Sequence, residues 1–259
     1  MPTVLYVYAI AARKALAAPE IEGVDGESAL RVVERGDLAA LVSEVDADAF
    51  SQETIDARAA DLDWLGAIGY SHQQVVEQAC RDADAIPLRA FVLFSTEQAL
   101  REHLEEKAEE MKEILGVIAR REEWTVKLEF DEKTWTDAIE RRAPSLAALA
   151  AEAEGAPAGK AYLLRRKMDE ARKNAAREAV DSIASEMEDR ISRQLGVPVV
   201  SDLSRTGNMP QFNVLLERSR GGEMEQLVGE LQRDYRDEGV RPLLTGPWPP
   251  YTFVTRSEG

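Results

Sequence analysis

The sequence has one cysteine, Cys80, in 259 residues. An internal disulfide is therefore excluded, which fits a reducing compartment. There are two histidines, His72 and His103. Zinc sites draw on clustered cysteine and histidine, so a zinc centre has no basis here. No apolar run approaches the roughly 18 residues that cross a bilayer. No cation precedes the first apolar run, MPTVLYVYAIAARKALAAPE, so it lacks the layout of a secretory signal. Phosphate-cradling glycine loops and nucleophile elbows are missing as well. These absences give the expectation of a soluble, intracellular chain with no cofactor and no membrane partner.

What is present is acidity and enough apolar residue for a core. The net charge is −16, from 32 Lys and Arg against 48 Asp and Glu. Such a field repels phosphate backbones and anionic lipid, so nucleic acid is not an expected partner. Hydrophobic residues make up 44% and charged residues 31%, a balance that builds a packed interior. The length suits one large or two modest domains.

Periodicity divides the chain into elements. Thr3–Ile10 reads as a buried strand, and Leu16–Ala29, with Pro19, Gly23 and Gly26, as a loop. Leu30–Glu34 and Leu38–Val45, joined by Arg35-Gly36-Asp37, read as a hairpin. From Ser51 the spacing turns helical through Ile55, Leu62, Leu65, Ile68, His72, Val75, Val76 and Ala79. Ile86–Phe94 reads as one strand. Ser95, with Gln98 three residues on, reads as a capping box. It opens a helix with the stripe Leu100, Leu104, Ala108, Met111, Leu115 and Ile118. A domain boundary is expected within Gly116–Glu122, giving domains 1–120 and 121–259.

The second half reads as strand Trp124–Phe130, a helical insertion near 131–158 and a long helix from Lys160 to Leu195. Strands Val197–Leu203 and Gln211–Glu217 follow, then helix Gly222–Glu238 and a final strand region Arg241–Val254. The expected fold class is α+β, with a mixed N-terminal domain and a ferredoxin-like β-α-β-β-α-β C-terminal domain carrying the insertion.

Candidate chemistry is sparse. His72 near Asp63 offers a His–Asp acid/base pair, although a histidine on an apolar helical face is more often a hydrogen-bonded structural residue. With Arg89, these two residues define an alternative reading, a small-molecule enzyme with a cleft between the domains. His103 sits among charges on a polar helix face. Cys80 beside Arg81 reads as a small buried apolar residue. The acidic runs Glu105-Glu106 and Glu109-Glu110 alternate with lysines and read as a solvated face. The basic cluster Arg165-Arg166-Lys167, Arg172-Lys173 and Arg177 is interleaved with acids and reads the same way. A generic interaction scaffold built on that long helix is a third reading, although its stripe drifts from strict heptads.

Six segments together resemble the gas vesicle protein F/L family. They are the opening strand with Tyr6 and Tyr8, Asp63-Trp64-Leu65 with Ser71-His72-Gln73, and Pro87-Leu88-Arg89. The others are Glu123-Trp124-Thr125-Val126-Lys127, Gly159-x-x-Tyr162-Leu163, and Gly246-x-Trp248-x-Pro250-Tyr251-x-Phe253. After Arg89 the family usually continues Phe-Gly, whereas this chain has Ala90-Phe91. The resemblance spans nearly the whole chain and fits the F and L branches equally. It implies a non-enzymatic helper, or minor structural component, of gas vesicle formation. The implied partners are the small apolar shell protein and other gas vesicle accessory proteins, and the implied location is the cytoplasm and the gas vesicle.

The same motif residues also have local readings. Arg89, in an apolar strand, needs a carboxylate partner, with Asp63 or a nearby Glu the candidate. Trp248 and Tyr251, among prolines, suit core, interdomain packing or partner contact. The open sheet of the second half is the expected docking surface for the shell protein.

Overall fold

A computed structural model of the protein describes residues 2–202 and 209–254. The fold is α+β, with helices packed on two antiparallel sheets. Two compact units emerge, residues 2–123 with 247–254, and residues 124–246. The expected second domain, 121–259, thus included a closing segment that groups with the first unit.

The first unit contains β1 (Thr3–Ala12), β2 (Leu30–Arg35), β3 (Leu38–Asp46), α1 (Gln52–Arg58), α2 (Leu62–Asp82), β4 (Ala85–Pro87), β5 (Leu93–Phe94), α3 (Glu97–Glu106) and α4 (Ala108–Ile118). The strand order is β2-β3-β1-β4, with β5 also pairing β1. Arg35 faces Leu38 across the hairpin, which leaves Gly36-Asp37 as the turn. Gly36 adopts φ +57°, a left-handed conformation that costs it no Cβ clash.

Strand β1 is central and buried from Leu5 to Ala11. Its register shifts between Val7 and Ala9, a bulge that breaks the alternation of faces. Tyr6, Tyr8, Ala9 and Ala11 therefore enter one core cluster, packed with Ile68, Val75, Val76 and Ala79 of α2.

Several local expectations need correction. The helix read from Ser51 is two helices, because Ser51 caps α1 through Thr54 N and Asp61 caps α2 through Trp64 N. Thr96, not Ser95, caps α3, accepting from Ala99 N. The stripe from Leu100 to Ile118 also spans two helices, with Lys107 at φ −96°, ψ 11° between them. Ile86–Phe94 is not one strand. It forms β4 and β5 around an irregular segment in which Phe91 takes φ +67°.

The second unit contains most of β6 (Arg121–Phe130), then α5 (Glu132–Arg142), α6 (Pro144–Glu154), α7 (Ala158–Leu195), β7 (Val199–Asp202), β8 (Gln211–Glu217), α8 (Gly221–Asp234) and most of β9 (Val240–Trp248). Its sheet order is β7-β8-β6-β9. Trp124, Val126 and Leu128 of β6 and Phe212, Val214 and Leu216 of β8 pack against Ile183, Met187 and Ile191 of α7. Met224, Leu227 and Leu231 of α8 complete that core. The middle of α7, at Ala179, packs on Ile139 of α5 and Leu146 of α6. Gly196 ends α7 at φ +64°, its N–H returning to Ser192 O. Leu203 and the connection read at 204–208 lie outside the described residues. The final run is a strand only to Trp248; after Pro249 and Pro250 the chain forms a short helix, α9 (Tyr251–Val254).

The two sheets follow the same path. In each, the unit's first strand lies between its third and fourth, and the second strand flanks the third.

Candidate functional site

The family-like residues of the first unit converge on the irregular segment 88–92. Tyr6 and Tyr8 project from β1 with ring centroids 4.9 Å apart, and the His72 ring lies 5.6 and 5.7 Å from them. His72 Nε2 is 3.0 Å from the Leu88 carbonyl oxygen, and His72 Nδ1 is 3.1 Å from Tyr6 Oη. A carbonyl only accepts, so Nε2 carries the proton and Nδ1 accepts from the Tyr6 hydroxyl. Tyr6 Oη in turn accepts from Phe91 N–H at 3.0 Å. This chain of bonds is complete with a neutral imidazole. Burial holds the His72 pKa below the usual histidine value, opposed by the Leu88 hydrogen bond. Burial also pushes the Tyr6 hydroxyl above its ordinary range.

Two backbone bonds finish the clamp. Leu88 N–H donates to Tyr8 O at 2.9 Å, and Val7 N–H donates to Val92 O at 2.9 Å. Tyr8 holds a second loop in the same way. Its hydroxyl accepts from Val24 N–H at 2.7 Å and shares a 2.7 Å hydrogen bond with Ser43 Oγ. Burial pushes the Tyr8 pKa up to about 12.

Arg89 lies in the middle of the clamped segment and is exposed. The expected carboxylate partner is not there. Among the described residues Arg89 makes no ion pair or hydrogen bond, and Asp63 is exposed in the first turn of α2. Arg89 instead edges a cavity of about 270 Å³ whose walls include Ile10, Ile86, Pro87, Leu88, Val92, Met111, Ile114 and Val254. Lys107 and Glu110, 3.0 Å apart as an ion pair, stand at the same cavity with His103. Neither His72 nor Asp63 lines it. The His72–Asp63 acid/base pair is not formed, because both ring nitrogens of the buried His72 are engaged elsewhere while Asp63 is exposed. His103 is less idle than expected, since its ring packs 5.3 Å from Phe94.

The remaining motif positions are dispersed. Trp64 packs on Phe91 at 5.7 Å, with the Arg58 guanidinium 4.6 Å from the ring centroid. Pro87 closes β4 and is buried. Trp124 enters the second core, while Lys127 on the same strand is exposed. Gly159, Tyr162 and Leu163 lie in the first turns of α7, with Tyr162 and Leu163 exposed. Gly246 takes φ +119° in β9, where Trp248 is exposed. Pro250 is buried, and Tyr251 packs against the first core cluster.

Glu123 opens one of the family-like segments, but its contact with Thr252 had no sequence signal. Glu123 is buried, and both its oxygens accept from Thr252, Oε1 from Oγ1 at 2.6 Å and Oε2 from N–H at 2.9 Å. Burial pushes its carboxyl above the usual range, against the two Thr252 bonds.

The open face of the second sheet was the expected docking surface for the shell protein. Its face away from the α7/α8 core carries Lys127, a Glu129–Arg241 ion pair and a Thr125–Asn213 hydrogen bond at 2.8 Å around Leu215. In the basic cluster of α7, Arg165, Arg166, Lys167, Lys173 and Arg177 are exposed, whereas Arg172 is half-buried and paired to Glu140 at 2.6 Å. The alanine side of that helix, Ala171, Ala175 and Ala176, packs beside α5 and α6 rather than presenting a free seam. Among the described residues no three metal-binding side chains cluster, and no helix is long and apolar enough to cross a membrane.

A family model described as gas vesicle synthesis protein GvpL/GvpF matches residues 4–255. Gas vesicle protein L of Streptomyces sp. (strain CB03234) is 28% identical over 261 residues, covering 98% of this chain and 93% of that protein. Gas vesicle protein F of the same strain is 25% identical over 251 residues, covering 96% and 98%. The crystal structure of the gas vesicle protein GvpF from Anabaena sp. PCC7120 superposes with a TM-score of 0.75 at 20% identity, covering 97% of this chain and 98% of that one.

Proposed function

The chain belongs to the gas vesicle synthesis protein GvpL/GvpF family, and from that membership we propose that it assists gas vesicle formation by binding the small apolar shell protein. Subunits with large apolar patches associate indiscriminately when exposed. A highly charged helper that covers such a patch and releases it at the growing shell limits that loss. The net charge of −16 keeps the helper itself dispersed. Its working locations are then the cytoplasm and the vesicle surface, among other gas vesicle accessory proteins.

The observation that carries a non-catalytic reading is the use made of His72. Both its ring nitrogens are engaged in holding segment 88–92, and burial keeps it uncharged. A general base needs a free lone pair facing substrate. The motif is thus read as a device for shaping a surface.

We also read the chain as two domains, the second ferredoxin-like. The order β7-β8-β6-β9, with α7 following the first strand and α8 the third, supports that reading. The test of function is deletion of the gene and its paralogues followed by electron microscopy. Loss of vesicles, restored by the wild-type chain, is the expected result. Normal vesicles without any relative present would overturn the proposal.

A further inference from the structure

The clamp around segment 88–92 presents an unusual combination. Four hydrogen bonds fix Leu88, Phe91 and Val92 to Tyr6, Val7, Tyr8 and His72. Phe91 holds a left-handed φ of +67°, a conformation that persists in a non-glycine residue only where surrounding structure enforces it. Yet Arg89, between these fixed points, has no partner among the described residues. Arg165, Arg166 and Arg177 on α7 are likewise exposed without an ion pair among the described residues, and what sets Arg89 apart is the clamped segment that holds it, a cation fixed in place for something outside the chain.

Beside that cation is apolar space. The cavity of about 270 Å³ has walls from Ile86, Leu88, Met111 and Ile114. A sealed apolar cavity of about 150 Å³ takes a benzene-sized group, so one aliphatic or aromatic side chain fits with room to spare. The other nearby cation, Lys107, is already paired with Glu110 at 3.0 Å. Arg89 is thus the group at the cavity that lacks its counter-charge.

Resting on the shell-protein reading above, we infer that this cavity is the docking point for an apolar segment of the shell protein, with one large side chain inserted and a neighbouring carboxylate paired to Arg89. Charge complementarity selects the occupant. In a chain of net charge −16 an acidic partner is repelled in general, so an apolar segment with a carboxylate beside its anchor is discriminated by this site. A planar guanidinium on a fixed backbone suits bidentate pairing with that carboxylate.

The test co-expresses the affinity-tagged full-length chain with the shell protein and quantifies the shell protein retained. Arg89→Glu is expected to lower retention by about 10- to 100-fold, the loss of a charge-assisted pair. Arg89→Lys falls between that variant and the wild type. Ile114→Trp, which fills the cavity without altering charge, gives a comparable loss. Lys127→Glu carries the same charge change on the second sheet and retains the partner, and unchanged thermal unfolding of Arg89→Glu shows that its fold is intact. An acid-to-lysine change in the shell protein that restores binding to Arg89→Glu identifies the paired carboxylate. Equal retention by Arg89→Glu and wild type overturns this docking site and leaves the functional reading standing. Failure of the wild type to retain any shell protein overturns both.

Discussion

The hydroxyl of Tyr6 and Nδ1 of His72 lie 3.1 Å apart although 66 residues separate them in sequence. The bond joins the middle of β1 to the middle of α2, and through Nε2 it reaches Leu88. Removing the imidazole leaves the Tyr6 hydroxyl without an acceptor and the Leu88 carbonyl without this donor, in a buried site. His72→Ala is expected to lose about 2–4 kcal/mol of stability, from two unmet polar groups and a cavity. Hydrogen exchange is expected to show faster exchange at Phe91 N–H first, ahead of the β1–β3 ladder. Uniform acceleration across the first unit would contradict a local clamp.

The same histidine sets a pH dependence. Its folded pKa is depressed by burial, while the unfolded side chain titrates near about 6.5. Between these values the unfolded chain holds a proton that the folded chain lacks. Stability therefore falls as pH drops below about 6.5 and is level in this term above it. His72→Gln removes the titrating group, so the difference between its unfolding profile and the wild type's should vary between pH 7 and pH 5. A constant difference would show that His72 titrates alike in the folded and unfolded chains.

Much of the frame was legible in the sequence. The run from Thr3 to Ile10, the Gly36 hairpin and the stripe of α2 each follow from local periodicity or from one residue's backbone preference. The errors fall where long-range bonds replace local ones. Leu88–Val92 looks like continuous strand because its residues are apolar, yet only its two ends bond the β1 backbone, and the Tyr6 and His72 side chains replace the rest of the ladder. Lys107 interrupts a helical stripe that keeps its spacing on both sides, so periodicity carries no mark of the break. Arg89 was expected to pair inside the chain because it lies among apolar residues. The irregular backbone turns it outward instead, and no one-dimensional pattern encodes that direction.

Glu123 gives an opposite pH term. Burial raises its folded pKa above the unfolded value near about 4.3, so the folded chain holds the extra proton. This contribution is complete below the unfolded pKa and is lost as pH rises through the folded one. Glu123→Gln keeps an acceptor for Thr252 N–H and a donor for Thr252 Oγ1. The variant should gain on the wild type as pH rises from 4 to 7, read as unfolding midpoints at each pH. Thr252→Val, which deletes the hydroxyl donor at 2.6 Å, should cost about 1–3 kcal/mol at neutral pH.

Two glycines with similar left-handed backbones separate conformational strain from steric exclusion. Gly36 has φ +57° and a substituted Cβ would meet nothing within 4 Å, so Gly36→Ala should cost about 1–2 kcal/mol, the left-handed penalty alone. Gly239 has φ +74°, and a Cβ there would stand 2.6 Å from Trp135 N and 2.8 Å from Thr134 Cβ. Its carbonyl also accepts from Asp131 N–H at 2.8 Å, at the cap of α5, so the backbone has no free direction in which to retreat. Gly239→Ala must displace the start of α5 or strip that bond, and an excess of about 2 kcal/mol or more over Gly36→Ala is expected. Denaturant unfolding of both variants decides the matter, and equal losses would mean that α5 yields without cost.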